Sequence, residues 1–289
     1  MGPSPARNAG SKPVEKHRTA AQCEKRLRRG LIVVSVTWLG LLAAGLILIA
    51  RSADIGRAAA WTGKAAAVLA CQLLFIIRNR RRILRGPNLA HLWGTANLLT
   101  LLRGTLAAVL AGFLFGDKPS GLAGWLPALL YTLLAGLDYL DGYWARRTGT
   151  ETAMGEILDQ EYDALGILLA VSLAVQFGHL PAAFLSVGLA RYLFAWAAAW
   201  RRRRGLPIRP LPPSNLRRRL AGFQMAVLAV VLWPVAGPPG TVLAGLIVGV
   251  PFLLGFARDW LIASAKLDPE HRSYLKARAR FYRITRSWL

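Results

Sequence analysis

Four aspartates in the middle of the chain, Asp138, Asp141, Asp159 and Asp163, have the type and spacing to hold a hard cation. Asp138 and Asp141 are three apart and Asp159 and Asp163 four apart, so each pair shares one face of a helix. If the two helices are antiparallel neighbours, the four carboxylates converge, and like charges that close repel. A divalent cation removes that repulsion. Mg²⁺ or Mn²⁺ suits such oxygen ligands, above all where phosphate completes the shell. Two ions side by side would hold a diphosphate and stabilise charge on both attacking and leaving oxygens. Gly142 and Gly155 leave room for phosphate or a neighbouring helix, and Arg146 offers a planar fork to phosphate oxygens. Solvated helix-end carboxylates neutralised by Arg147 are a fair account of any one aspartate and a poor one of all four. Zinc is disfavoured, because no Cys or His stands near.

The elements that must carry these residues are apolar. Of 289 residues, 54% are hydrophobic and 18% charged, yet 37 Lys+Arg against 14 Asp+Glu leave a formal charge of +23. A soluble domain devotes about a quarter of its residues to charge, so a polytopic membrane protein of all-α class is expected. The positive charge comes in blocks between apolar runs, which argues against a nucleic-acid binder. The two cysteines suggest no disulfide framework. Eight apolar stretches read as crossings: Leu31–Ala50, Ala58–Ile77, Leu92–Phe115, Leu122–Leu137, Ala164–Phe177, Ala182–Trp200, Leu220–Val235 and Thr241–Ala257. Leu122–Leu137 and Ala164–Phe177 are short unless the acidic segment between them is helical. The first run lies behind a basic stretch and reads as a crossing rather than a cleaved leader.

Basic residues concentrate in alternate segments: eight in 1–30, five in 78–91, two in 138–150, eight in 201–219 and eight in 258–289. Eight crossings put all of these, with both termini, on the cytoplasmic side. The Arg blocks then serve topology and attract anionic membrane lipids. Residues 273–289 alternate Arg with apolar residues, as a surface-lying amphipathic helix would. Arg103 and Arg191 fall inside apolar runs, where an Arg must face the bundle interior or a wet cavity. Each reads either as one half of a structural pair or as an anion-binding residue. The four histidines have no metal-ligand spacing and are not expected to be catalytic.

From Asp138 the chain reads Asp, two residues, Asp141-Gly142, two residues, Ala145-Arg146, eight residues, Gly155, three residues, Asp159, three residues, Asp163. This resembles the complete motif of the CDP-alcohol phosphatidyltransferase family. Asn97, Thr100 and Arg103 are similar to an Asn-x-x-Thr-x-x-Arg element that opens the family's first core helix. The resemblance implies a six-helix core over 87–260. The remainder would be a basic cytoplasmic tail over 1–30, two additional transmembrane helices with a basic linker over 31–86, and a basic amphipathic cytoplasmic tail over 261–289.

The resemblance also implies an enzyme of phospholipid synthesis in a bacterial-type inner or plasma membrane, with its site facing the cytoplasm. It would transfer a phosphatidyl group from a CDP-diacylglycerol-like donor to a small alcohol and release CMP. Asp138, Asp141, Asp159 and Asp163 would hold two Mg²⁺ or Mn²⁺ ions, with Asp163 also the general base. Asn97, Thr100, Asp138, Gly142, Ala145, Arg146 and Gly155 would bind the cytidine-diphosphate donor. Arg191 follows Asp163 by 28 positions, near where members place a residue for acceptor phosphate, and Arg218 and Arg219 stand where phosphate-using members carry paired Lys. These point to a phosphorylated acceptor, best sn-glycerol 3-phosphate, with inositol phosphate, serine or another alcohol as alternatives. A homodimer is common in the family. The competing accounts are a transporter, which carboxylates confined to one boundary disfavour, and a non-catalytic scaffold, which retention of all four aspartates disfavours.

Overall fold

The structure is a computed structural model describing residues 12–52, 54–211 and 214–267. All of the regular structure there is helical. Eight α-helices follow in chain order: α1 (Lys12–Ser52), α2 (Ile55–Leu84), α3 (Thr95–Ala111), α4 (Leu126–Thr148), α5 (Ala153–Gln176), α6 (Leu185–Arg203), α7 (Asn215–Val231) and α8 (Gly240–Ala263). Each of the eight apolar stretches overlaps one of them.

Among the described residues, five segments are long and apolar enough to cross a membrane: Gln22–Arg51, Ile55–Leu84, Gly121–Trp144, Ala182–Arg203 and Gly240–Ala263. Thr95–Ala111 is apolar but shorter. One face of α1 points outward, with Val33, Val36, Leu39 and Leu48 all more than 60% exposed. That is the pattern of a face whose solvent is hydrocarbon.

Two helix boundaries extend beyond the apolar runs. The basic stretch before Leu31 is helical from Lys12 onward, and α1 runs unbroken from there into the apolar run. Its Ala, Gln, Glu, Lys and Arg residues are good helix formers, and Pro13 falls in the first turn, where proline is tolerated. The acidic segment is helical on both sides of a short break. Gly149 has φ +64°, a left-handed conformation open to glycine, and ends α4. Thr152 caps α5 by accepting from the Gly155 amide at 3.0 Å. The apolar cores of α4 and α5 are thereby lengthened by the turns that carry the aspartates. The amphipathic helix expected over 273–289 lies outside the described residues.

The chain divides into two compact units, residues 1–169 and 170–289, with the boundary inside α5. In the first, α1 and α2 pack against each other and α2 packs against α3. Leu27 and Trp38 of α1, Leu69, Ile76 and Ile83 of α2, Leu101 and Ala108 of α3, and Leu158 and Tyr162 of α5 share one core. Polar contacts add to it: Trp38 Nε1 donates to Thr105 Oγ1 at 2.9 Å and Trp93 Nε1 to the Arg26 carbonyl at 3.2 Å. The N-terminal helix pair is therefore part of the packing that positions α3. α4 adjoins α3 as well, and Gly166 of α5 admits Leu134, whose Cδ2 would lie 3.2 Å from an added Cβ.

In the second unit α8 packs against α6 and α7. His179, buried in the turn before α6, contacts the Val231 carbonyl through Nδ1 at 2.6 Å, while its own carbonyl accepts from Thr241 Oγ1 at 2.6 Å. It is a structural staple. Asp259 of α8 pairs with Arg217 Nε at 2.7 Å, and Trp260 sets its ring edge-on to Phe194.

Candidate active site

The four motif aspartates meet around one side chain, Arg103. Its Nη1 lies 3.0 Å from Asp141 Oδ2 and 2.7 Å from Asp159 Oδ1. Its Nη2 lies 2.6 Å from Asp138 Oδ1 and 2.5 Å from Asp163 Oδ1. One planar guanidinium thus ties two turns of α4 to two turns of α5 from α3, a geometry that its fixed fork allows and a lysine ammonium would not. The helical spacing explains the aspartates' convergence. Arg103 reaches them because α3 presents a face of small residues, Ala96, Gly104, Ala107, Ala108 and Ala111, all of them buried.

Exposure grades across the cluster. The Arg103 side chain is fully buried and Asp141 is 5% exposed, whereas Asp138, Asp163 and Asp159 are 29%, 31% and 45% exposed. Asp141 is the anchored member, since Thr100 Oγ1 also donates to its Oδ2 at 3.0 Å. The others line the open side, where a ligand would arrive.

One oxygen each from Asp138, Asp141 and Asp159 lies within 4.8 Å of the other two. That donor set, all carboxylate, fits one hard divalent cation of the Mg²⁺ or Mn²⁺ type. Asp163 reaches the same guanidinium from one turn further along α5.

The remaining expected residues fall into three groups. Asn97 is buried and engaged within the protein: its Nδ2 donates to the Leu92 carbonyl at 2.9 Å and to Thr152 Oγ1 at 2.8 Å. It ties the start of α3 to the cap of α5. Gly155 lies against it, with a Cβ there falling 2.6 Å from Asn97 Oδ1, so glycine is needed for helix approach. Gly142 is half-buried on α4, one residue beyond Asp141; the side chains of Ala145 and Arg146 lie outside the described residues. Arg191 is half-buried on α6 and Arg218 and Arg219 are exposed on α7; these belong to the second unit.

Two residues of the site carry more than their sequence suggested. Arg103 was legible as part of a short element and as a buried cation in need of counter-ions, but not as the common partner of all four aspartates. The available signal was a lone Arg in the apolar run 92–115, three residues after Thr100. Thr152 went unnoticed; a Thr three residues before a helical Gly, after a Gly-Thr-Glu turn, is a capping signal.

Residues 93–261 match the family described as CDP-alcohol phosphatidyltransferase. A Cereibacter sphaeroides protein named CDP-diacylglycerol--glycerol-3-phosphate 3-phosphatidyltransferase is 30% identical over 142 residues, 48% of this chain. The aligned stretch spans 63% of that protein's length. The matched family segment covers more than half of the chain and contains all four converging aspartates together with Arg103. On these grounds the chain belongs to the CDP-alcohol phosphatidyltransferase family.

Proposed function

We propose that this protein transfers a phosphatidyl group from a CDP-diacylglycerol-like donor to a small alcohol, releasing CMP, as a step of phospholipid synthesis. The observation that carries this reading is the meeting of four carboxylates from α4 and α5 at one point, three of them within reach of a single cation. Bound Mg²⁺ or Mn²⁺, two ions in this reading, would neutralise charge on the diphosphate and on the departing CMP. Asp138, Asp141, Asp159 and Asp163 hold that charge in place. Asp163, on the open side, accepts the proton of the acceptor hydroxyl as its oxygen attacks the β-phosphorus, and the bond to CMP breaks. Thr100 fixes Asp141, Asn97 fixes the first turn of α5, and Gly142, Ala145, Arg146 and Gly155 border the cytidine diphosphate.

Arg191, Arg218 and Arg219 take the acceptor's anionic group. The acceptor is then phosphorylated, and sn-glycerol 3-phosphate is the first choice; the C. sphaeroides relative's name supports it. Inositol phosphate and serine are the alternatives to test beside it. The helices cross the membrane eight times with both termini and the carboxylates on the cytoplasmic side, a reading supported by the alternation of basic segments. Anionic lipids surround the Arg-rich ends, and the protein works as a homodimer.

The test is CMP release by the purified protein in detergent, with CDP-diacylglycerol, Mg²⁺ or Mn²⁺, and a panel of acceptors. Release with sn-glycerol 3-phosphate above all others supports the full reading. Release with a different acceptor alone reassigns the product. No release with any acceptor, from a folded protein, ends the proposal. Impermeant thiol labelling of single cysteines at positions 118 and 237 against 205, in a Cys23→Ser, Cys71→Ser background, tests the orientation.

A further inference from the structure

Arg103 puts the cationic end of a fully buried side chain on four carboxylates at once. We infer that Arg103 is a built-in counter-cation, which competes with the divalent ion for this cluster and gives way as the ion binds. The inference rests on the reading that the aspartates bind such an ion.

Three observations support it. The partners coincide: Nη1 bridges Asp141 and Asp159 and Nη2 holds Asp138, and these are the three residues whose oxygens come within 4.8 Å of one another. A cation drawing on that donor set meets the guanidinium at the same carboxylates. One guanidinium cannot satisfy four carboxylates fully, so the cluster keeps an attraction for a cation of higher charge. Arginine, finally, cannot escape a nearby divalent ion by losing its proton, because it stays charged under all ordinary conditions. It must share the carboxylates or move, and its long stem permits movement while α3 stays fixed. The Arg103 Nε has no hydrogen-bond partner, so the polar contacts of this side chain are all made by its two terminal nitrogens.

Arg103 thus acts as a substitute cation within the cluster, which keeps the carboxylates together at the expense of metal affinity. The test compares the full-length protein with Arg103→Gln and Arg103→Lys in detergent. Mn²⁺ is the probe, with free Mn²⁺ read by electron paramagnetic resonance and unfolding followed in chelator and in Mn²⁺. Arg103→Gln is expected to bind Mn²⁺ at least ten-fold more tightly than the wild type. It should unfold at lower temperature in chelator and recover in Mn²⁺, as linkage requires when the ion binds only the folded state. Should Arg103→Gln fail to fold, Arg103→Lys carries the affinity measurement, with a several-fold gain expected because an ammonium reaches fewer of the oxygens. Affinity equal to or weaker than wild type in the variant that folds overturns the competition and makes Arg103 a supporting residue. A folded wild type that binds no Mn²⁺ overturns the metal reading itself, and this inference with it.

Discussion

Gln72 donates its side-chain amide to the carbonyl of Gly104 at 2.9 Å, which ties α2 to the residue that follows Arg103. Gln72 is itself buried, at 4% exposure, so this is a polar contact inside an apolar bundle. Helices outside the segment that carries the family motif therefore hold the backbone at its central cation. Loss of such a contact costs about 1–3 kcal/mol when a buried group is left without a partner. Gln72→Ala is expected to lower stability by that order, read from thermal or denaturant unfolding in detergent. An unchanged midpoint would show that α2 does not brace α3 through this bond.

Gly104 makes the same point from the other side. A Cβ at this position would lie 2.7 Å from both Gln72 Oε1 and Tyr162 Cζ. The amide can turn aside; the buried Tyr162 ring has less room to do so. Gly104→Ala is expected to destabilise the protein by roughly 1–3 kcal/mol, the range for overpacking. Because Arg103 is the preceding residue, Mn²⁺ affinity should change as well. A variant of wild-type stability and affinity would refute the close fit.

Asp159 is the most exposed of the four carboxylates, at 45%, and one of four that share a single guanidinium. Asp159→Asn removes a contact to Arg103 and, at the same stroke, repulsion from three neighbours. These effects oppose, so stability in chelator should change by less than about 1 kcal/mol, as for solvent-screened pairs. Metal binding has no such compensation. The variant should lose Mn²⁺ affinity at least about ten-fold, the lower end of what even an outer-shell change produces. A midpoint several degrees lower in chelator would make Asp159 a fold residue first.

How far the site was legible follows from these residues. Periodicity placed Asp138 with Asp141 and Asp159 with Asp163, because three- and four-residue spacings fix a helical face whatever surrounds it. The break at 149–152 is legible only in part: Gly149 is a strong stop signal, but a threonine caps a helix only if its hydroxyl faces the first free amides, which the sequence does not show. Arg103 in contact with all four carboxylates was not legible, because which of several partners a buried arginine takes depends on packing between helices. Asn97 illustrates the same limit. The resemblance implies donor binding there, and the sequence gives no sign that its amide also bonds to the Leu92 carbonyl and Thr152. The first helix shows the limit for boundaries, since hydropathy marks where apolar surface begins and says little about where the helix does.

Arg191 offers the sharpest division between acceptor recognition and support of the fold. It stands half-buried on α6, within a segment apolar enough to cross a membrane. An arginine there is retained for an anion or a structural partner. If it receives the acceptor's phosphate, Arg191→Ala should raise KM for a phosphorylated acceptor at least about ten-fold, the loss expected when a charged hydrogen-bonding partner of about 1.5–3 kcal/mol is removed. KM for CDP-diacylglycerol and the unfolding midpoint should stay near wild type. Arg191→Lys, which keeps the charge but not the planar fork, should fall between the two. A variant whose donor and acceptor constants shift together, with a lowered midpoint, would place Arg191 in the scaffold and leave acceptor recognition to Arg218 and Arg219.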